Sequence, residues 1–269
     1  MKTIKLTGMD EITALLDDVK VNEEINRYRS TFIYRGLPSE EYRLVPSIVR
    51  NCGEAWLTLE GPIFRNFYKY AVQENPFLSK NQWDQMIIGQ HYGLPTRLLD
   101  WSCSMLMGLH FATLERDLHQ MDKHDCILWK VDISELNKLL PTAYREVLDR
   151  EKAYVFTVEM LQELCTNLAG YDNDMQGKAL VTLEPPSIDS RIVNQYSYFT
   201  VTPAGMEDVE SFLCDNLSDN SVKYIIDSSL RWPIREILDR NNINERIISP
   251  GLEGITQSIK RHYFYIPKK

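Results

Sequence analysis

No Cys-x-x-Cys pair occurs anywhere in this chain, and its five cysteines (Cys52, Cys103, Cys126, Cys165 and Cys214) are scattered and odd in number. That excludes a disulfide-stapled scaffold and points to reduced thiols in a cytoplasmic protein. Long apolar runs are missing too. The longest mostly apolar stretch, 105–112, contains His110 and is far too short to span a bilayer, so no membrane association is expected. Lys2, Lys5 and Asp10 interrupt any apolar run at the start, which argues against a signal peptide. Positive charge is in deficit: a net charge of −8 leaves no overall footprint for nucleic acid or an anionic membrane surface. Lys260, Arg261, Lys268 and Lys269 form a small basic cluster that reads as a solvated tail. His91, His110, His119, His124 and His262 show no metal-ligand spacing, so no metal is expected. A Gly-x-Ser-x-Gly elbow, internal repeats, low-complexity tracts and an obvious linker are all lacking.

What is present is an ordinary globular composition, with 43% hydrophobic and 25% charged residues over 269 positions. That length buries a proper core, and one domain is expected, with a helical lead at 1–30 and a core at 31–269. Apolar spacing predicts helices at 11–28, 54–73, 82–91, 103–118, 157–168, 188–195, 208–217 and 234–241. Gly61-Pro62 should break or kink the second of these. Short β-rich runs fall at 31–34, 125–131, 179–183, 198–201 and 222–226. Ser249-Pro250 reads as an N-cap and first helical position opening a last helix to about His262. Strands mixed unevenly with helices imply an α+β fold rather than a regular βαβ array. Two motif-like stretches fail on spacing. Gly170 to Lys178 ends like a phosphate loop but has Ala179 where a hydroxyl is needed, and Asp172 to Gly177 opens like a calcium loop whose final glutamate is replaced by Leu183. Both read as a surface turn, and 172–178 is the best loop in the chain.

The most informative stretch is Gln90-His91-Tyr92-Gly93-Leu94-Pro95-Thr96-Arg97-Leu98-Leu99-Asp100-Trp101. Gly93 suits a left-handed helix end and Pro95 a helix stop, so a helix should end near Tyr92 and a new one begin after Thr96. Polar side chains would be gathered at that junction. Arg97 and Asp100, three residues apart, can pair with each other while Leu98, Leu99 and Trp101 enter the core.

The run Phe32-Ile33-Tyr34-Arg35-Gly36, then Leu44-Val45-Pro46-Ser47 with Arg50, then the dodecamer, resemble the FRG domain, a family named for a Phe-Arg-Gly motif and widespread in bacteria and their phages. Arg191-Ile192-Val193-Asn194-Gln195 with Phe199-Thr200, and Pro250-Gly251-Leu252-Glu253-Gly254, resemble its later blocks, so the similarity spans about 31–262. Two positions depart from the pattern: Tyr34 replaces the signature Phe, and Ser197 stands where Gly is expected. The family resemblance leaves the chemistry open.

Tyr34-Arg35-Gly36 at a strand end also resembles the first motif of arginine-serine-glutamate ADP-ribosyltransferases. That likeness implies that Arg35 grips NAD phosphates with its planar donor fork and that Gly36 admits the nicotinamide amide. Phe199-Thr200-Val201-Thr202 would supply the supporting hydroxyl strand, and Glu253 would hydrogen-bond the nicotinamide ribose and stabilise its oxocarbenium-like transition state. The first reading is therefore a polar cleft built from Arg35, His91, Arg97, Asp100, Arg191, Gln195 and Glu253, with NAD as substrate for ADP-ribosyl transfer or glycohydrolysis in a toxin or phage-conflict role. Gln90 would read a base or amide and His91 a ribose or phosphate. The alternative is a non-catalytic module binding a nucleotide, a nucleic acid or a protein. A third reading makes Arg35 and the Arg97–Asp100 pair internal scaffold.

Overall fold

The computed structural model describes residues 1–16, 21–22, 26–28, 30–74, 78, 81–187, 194–206 and 208–266. Its centre is a seven-stranded mixed sheet in the order β1-β9-β6-β4-β5-β8-β7. The strands are β1 (Lys2–Leu6), β4 (Phe32–Leu37), β5 (Leu98–Ser102), β6 (Cys126–Asp132), β7 (Val181–Leu183), β8 (Ser197–Val201) and β9 (Val222–Ile226). A separate two-stranded ribbon joins β2 (Val21–Asn22) to β3 (Arg27–Tyr28). All neighbours in the large sheet are antiparallel except β1 and β9. Together with its helices this is the α+β architecture expected from the sequence.

The central strands are covered on both faces, which is why their composition is apolar along the whole run rather than alternating. In β6 every residue is buried. Ile127, Trp129 and Val131 pack with Ile33, Leu37, Leu99 and Trp101 on one face, against helix α10 (Val209–Asn216). Cys126 and Leu128 pack with Phe32 and Tyr34 on the other, against α1 (Met9–Leu16), α5 (Met105–Ala112) and α11 (Arg231–Arg240). A further core at the β7–β8 edge gathers Trp83, Ile87, Tyr144, Phe156, Tyr171 and Phe199. It belongs to α3 (Trp56–Glu74), α4 (Gln82–His91), α7 (Thr142–Glu151), α8 (Val158–Leu164) and α9 (Leu168–Met175).

Five expectations are corrected. The lead at 1–30 is not simply helical: it opens with β1, an edge strand of which only Leu6 is buried, so its pattern carries little periodicity. The second half of the dodecamer is strand β5, not a helix. With Leu98, Leu99, Trp101 and Ser102 all buried, a short apolar run on a two-faced strand looks like a buried helix turn. Helix α3 runs through Gly61 and Pro62 without a break. The supposed loop at 172–178 starts inside α9, capped by Asn167, and turns only at Gln176 and Gly177. The last helix, α13 (Leu252–His262), begins after Gly251 (φ 113°), while Ser249 closes the short helix α12 (Glu245–Ile248) through its N–H to the Glu245 carbonyl. The helix expected at 188–195 falls mostly outside the described residues.

Candidate functional site

Strands β4 and β5 pair only at Tyr34 and Ser102. Beyond that pair they separate, and the wedge between them becomes a cleft of about 350 Å³ reaching Arg35, Gly36, Asp100, Trp101, Phe111 and Gln195. Arg35 takes over where the strand ladder stops: its Nη1 donates to the Asp100 carbonyl at 2.5 Å and lies 3.4 Å from Asp100 Oδ2. Its side chain is 15% exposed and its Nε, though buried, has no hydrogen-bond partner among the described residues. Burial lowers the guanidinium's pKa and Asp100 offsets this only in part. Asp100 is itself exposed, and Gln90 Nε2 donates to both of its oxygens at 3.0 Å. The Gln90 amide oxygen accepts from the Thr96 hydroxyl at 2.5 Å, which fixes the amide's orientation. Arg35, Gln90 and Asp100 thus form one hydrogen-bonded set.

Other sequence candidates serve elsewhere. Arg97 does not pair with Asp100. It is 1% exposed, with its Nε at 2.7 Å from Glu60 Oε1, its Nη2 on Glu60 Oε2 and its Nη1 at 2.5 Å from Asp172 Oδ1. Burial works against that charge, but the hydrogen bonds and charges of Glu60 and Asp172 outweigh it and raise the pKa. The guanidinium is fully taken up by carboxylates of α3 and α9. Gly36 faces α5: a Cβ there would stand 2.1 Å from both Ala112 N and the Gly108 carbonyl oxygen. The missing side chain therefore seats a helix against the sheet. The Thr200 hydroxyl accepts from Trp101 Nε1 at 2.9 Å and is buried. Thr202 is buried, its hydroxyl has no partner among the described residues, and its N–H donates to the Arg97 carbonyl at 3.2 Å. The Gln195 carbonyl accepts from Ser102 Oγ at 2.7 Å, which ties the chain after the wedge to β5. Arg191 lies outside the described residues.

Glu253 and His91 line a second cleft, of about 410 Å³, that also contains His110, Glu245 and Gln257 and shares Phe111 and Leu114 with the first. The structure therefore separates Arg35 from Glu253 into adjoining clefts. Behind the second one lies a buried ionic cluster that the sequence did not announce. Arg235 and Arg261 converge on Glu245, and Arg261 also grips Asp239 through both carboxylate oxygens at 2.6 and 2.7 Å. The one available signal was His110, a lone polar residue inside the most apolar stretch of the chain. Among the described residues no group of three or more His, Cys, Asp or Glu side chains could hold a metal. No helix among them is long and apolar enough to cross a membrane.

Residues 30–121 match the family model of the FRG domain, so an FRG domain is present there. The match holds Arg35, Gly36 and the whole dodecamer, and ends before the later blocks around Gln195 and Glu253. No curated protein and no solved structure matches the chain, and nothing in these comparisons supports the likeness to ADP-ribosyltransferases.

Proposed function

We propose that this chain is a binding module for a small ligand with an anionic group and a flat apolar part, a nucleotide being the simplest such molecule. The observation that carries this reading is Arg35, which lines the cleft with its side chain 15% exposed and whose Nη2 makes no hydrogen bond among the described residues. A partly desolvated charged donor without an acceptor is costly, and a phosphate oxygen in the cleft would satisfy the accessible Nη2. The planar fork suits phosphate better than a lysine would. Trp101, Phe111 and Leu114 give the same cleft apolar surface for a base. Asp100, held by Gln90, keeps the guanidinium in place from the other side.

One observation favours a second reading, NAD cleavage by ADP-ribosyl transfer or glycohydrolysis. Because the clefts share Phe111 and Leu114, a dinucleotide bridging them would set its phosphates at Arg35 and a ribose near Glu253. The Thr200 hydroxyl, occupied by Trp101, takes no part in that arrangement. Calorimetric titration with AMP and NAD tests the first reading. Arg35→Ala should weaken binding about tenfold or more, the worth of one charged hydrogen bond, and leave the thermal midpoint close to wild type. Equal affinity in wild type and variant would sink it. Nicotinamide release by the wild type, lost in Glu253→Gln, would move the assignment to the second reading.

A further inference from the structure

The last helix, α13, is fastened to the body of the protein by its polar side and turns its apolar side outward. Inward, Arg261 bonds Asp239 and Glu245. Gly254 lies so close to the end of α12 that a Cβ would stand 2.0 Å from the Ser249 carbonyl oxygen and 2.4 Å from that of Glu245. Outward, Leu252, Ile255, Ile259 and Tyr263 follow one another at three- and four-residue steps, so they form one stripe. They are 81%, 37%, 53% and 79% exposed. A surface helix normally lays such a stripe on the core, and an apolar face left in solvent marks a contact surface.

Charge decides what covers it. Glu253 stands in the first turn and Lys260 in the last. Seven residues apart, they share one flank of the stripe. Among the described residues Glu253 has no ion-pair partner, and Lys260 meets no carboxylate, its Nζ donating to the Arg116 carbonyl at 3.1 Å. In an antiparallel pair of these helices like flanks meet. Leu252 of one copy then opposes Tyr263 of the other, Ile255 opposes Ile259, and Glu253 falls beside Lys260. The helix dipoles also oppose each other. A parallel pair would set Glu253 against Glu253. An anionic lipid surface would attract only the basic end, while Glu253 and a net charge of −8 repel it.

We propose that α13 is where a second copy of this chain docks, the two helices antiparallel about a two-fold axis that passes between Ile255 and Ile259. A seam this short buries less than the roughly 800 Å² per partner of a standard interface, so the dimer is weak and reversible.

Sedimentation equilibrium of the full chain from about 1 to 500 μM, the range in which a micromolar dimer forms and dissociates, tests this. The apparent mass should climb from one chain toward two. Ile259→Glu, at an exposed position, should keep the chain monomeric throughout and leave the thermal midpoint of the dilute protein unchanged. Glu253→Lys and Lys260→Glu should each weaken association severalfold, and combining them should restore it. A wild type that stays monomeric at the highest concentration would overturn the proposal. So would a dimer that survives Ile259→Glu, or a double variant that associates no better than its parents. Binding of a strictly monomeric wild type to phosphatidylcholine–phosphatidylserine vesicles, lost in Ile259→Glu, would overturn it in favour of a membrane surface.

Discussion

Two arginines of the matched segment show how the same side chain takes opposite roles. Arg97 is enclosed by Glu60 and Asp172, with Trp56 5.1 Å from its guanidinium carbon, and every nitrogen is bonded. Arg35 is anchored by one nitrogen and, among the described residues, keeps another without a partner. The consequences of removing them should differ accordingly. Arg97→Ala leaves two carboxylates facing each other in a nearly dry site, and breaking a buried pair on one side costs about 3–5 kcal/mol. Its urea midpoint should drop sharply, while Arg35→Ala keeps most of its stability and loses ligand. A midpoint for Arg97→Ala within experimental error of wild type would show that the triad is not structural. The scaffold alternative set Arg97 against Asp100; the structure gives Arg97 to Glu60 and Asp172 and places Arg35 3.4 Å from Asp100 Oδ2.

At the scale of elements, the contact that matters is β4 against α5. Gly36 and Gly108 face each other across it, and a Cβ on Gly108 would reach within 2.7 Å of Leu128 and 2.9 Å of Tyr34. The helix lies so close to the strand that its C-terminal end, with Phe111, becomes a wall shared by both clefts. A Gly36→Ala methyl would press on helix backbone atoms that cannot turn aside as a side chain would. Overpacking of this kind costs about 1–3 kcal/mol, and pushing α5 outward should also spoil the cleft. Thermal denaturation and AMP titration of Gly36→Ala should therefore both worsen; a variant as stable as wild type would refute the close packing. The arginine and glycine of this motif were legible in the sequence as a pair with a purpose. That Gly36 both lines the cleft and seats α5 was not, because only the tertiary structure packs that helix against the strand.

For the molecule as a whole, the buried ionic cluster links stability to pH. Burial, with Arg235 adding to it, holds the His110 imidazole's pKa down to about 3, against an ordinary 6.5. The unfolded chain takes up that proton as pH falls below 6.5, whereas the folded chain refuses it until about 3. Stability is therefore unaffected by this group at higher pH and falls through the window between the two values, by up to about 1.4 kcal/mol per pH unit. Burial pushes the Glu245 carboxyl up, but Arg261 and Arg235 outweigh it and hold it at about 2, so a second loss begins below its ordinary 4.5. Thermal midpoints measured from pH 8 to 4 should be level at first and then decline. His110→Gln should flatten the first part of the decline while the Glu245 part remains. A wild-type profile that stays flat down to pH 4.5 would contradict a neutral, buried His110.

Composition and local pattern determined the α+β class, most strands and helices, and the short list from which Arg35, Gln90 and Asp100 came. Those features depend on side-chain type and spacing over a few residues, which a single chain displays directly. The tertiary structure decided the rest. It turned the end of the dodecamer into a central strand, gave Arg97 to Glu60 and Asp172 instead of Asp100, and set Glu253 in a cleft beside Arg35 rather than in the same one. Glu60 and Arg97 lie 37 positions apart, Arg97 and Asp172 75, and His110 and Arg235 125. Pairings over such distances follow from how strands are ordered in the sheet and which faces the helices cover, and no local pattern encodes that.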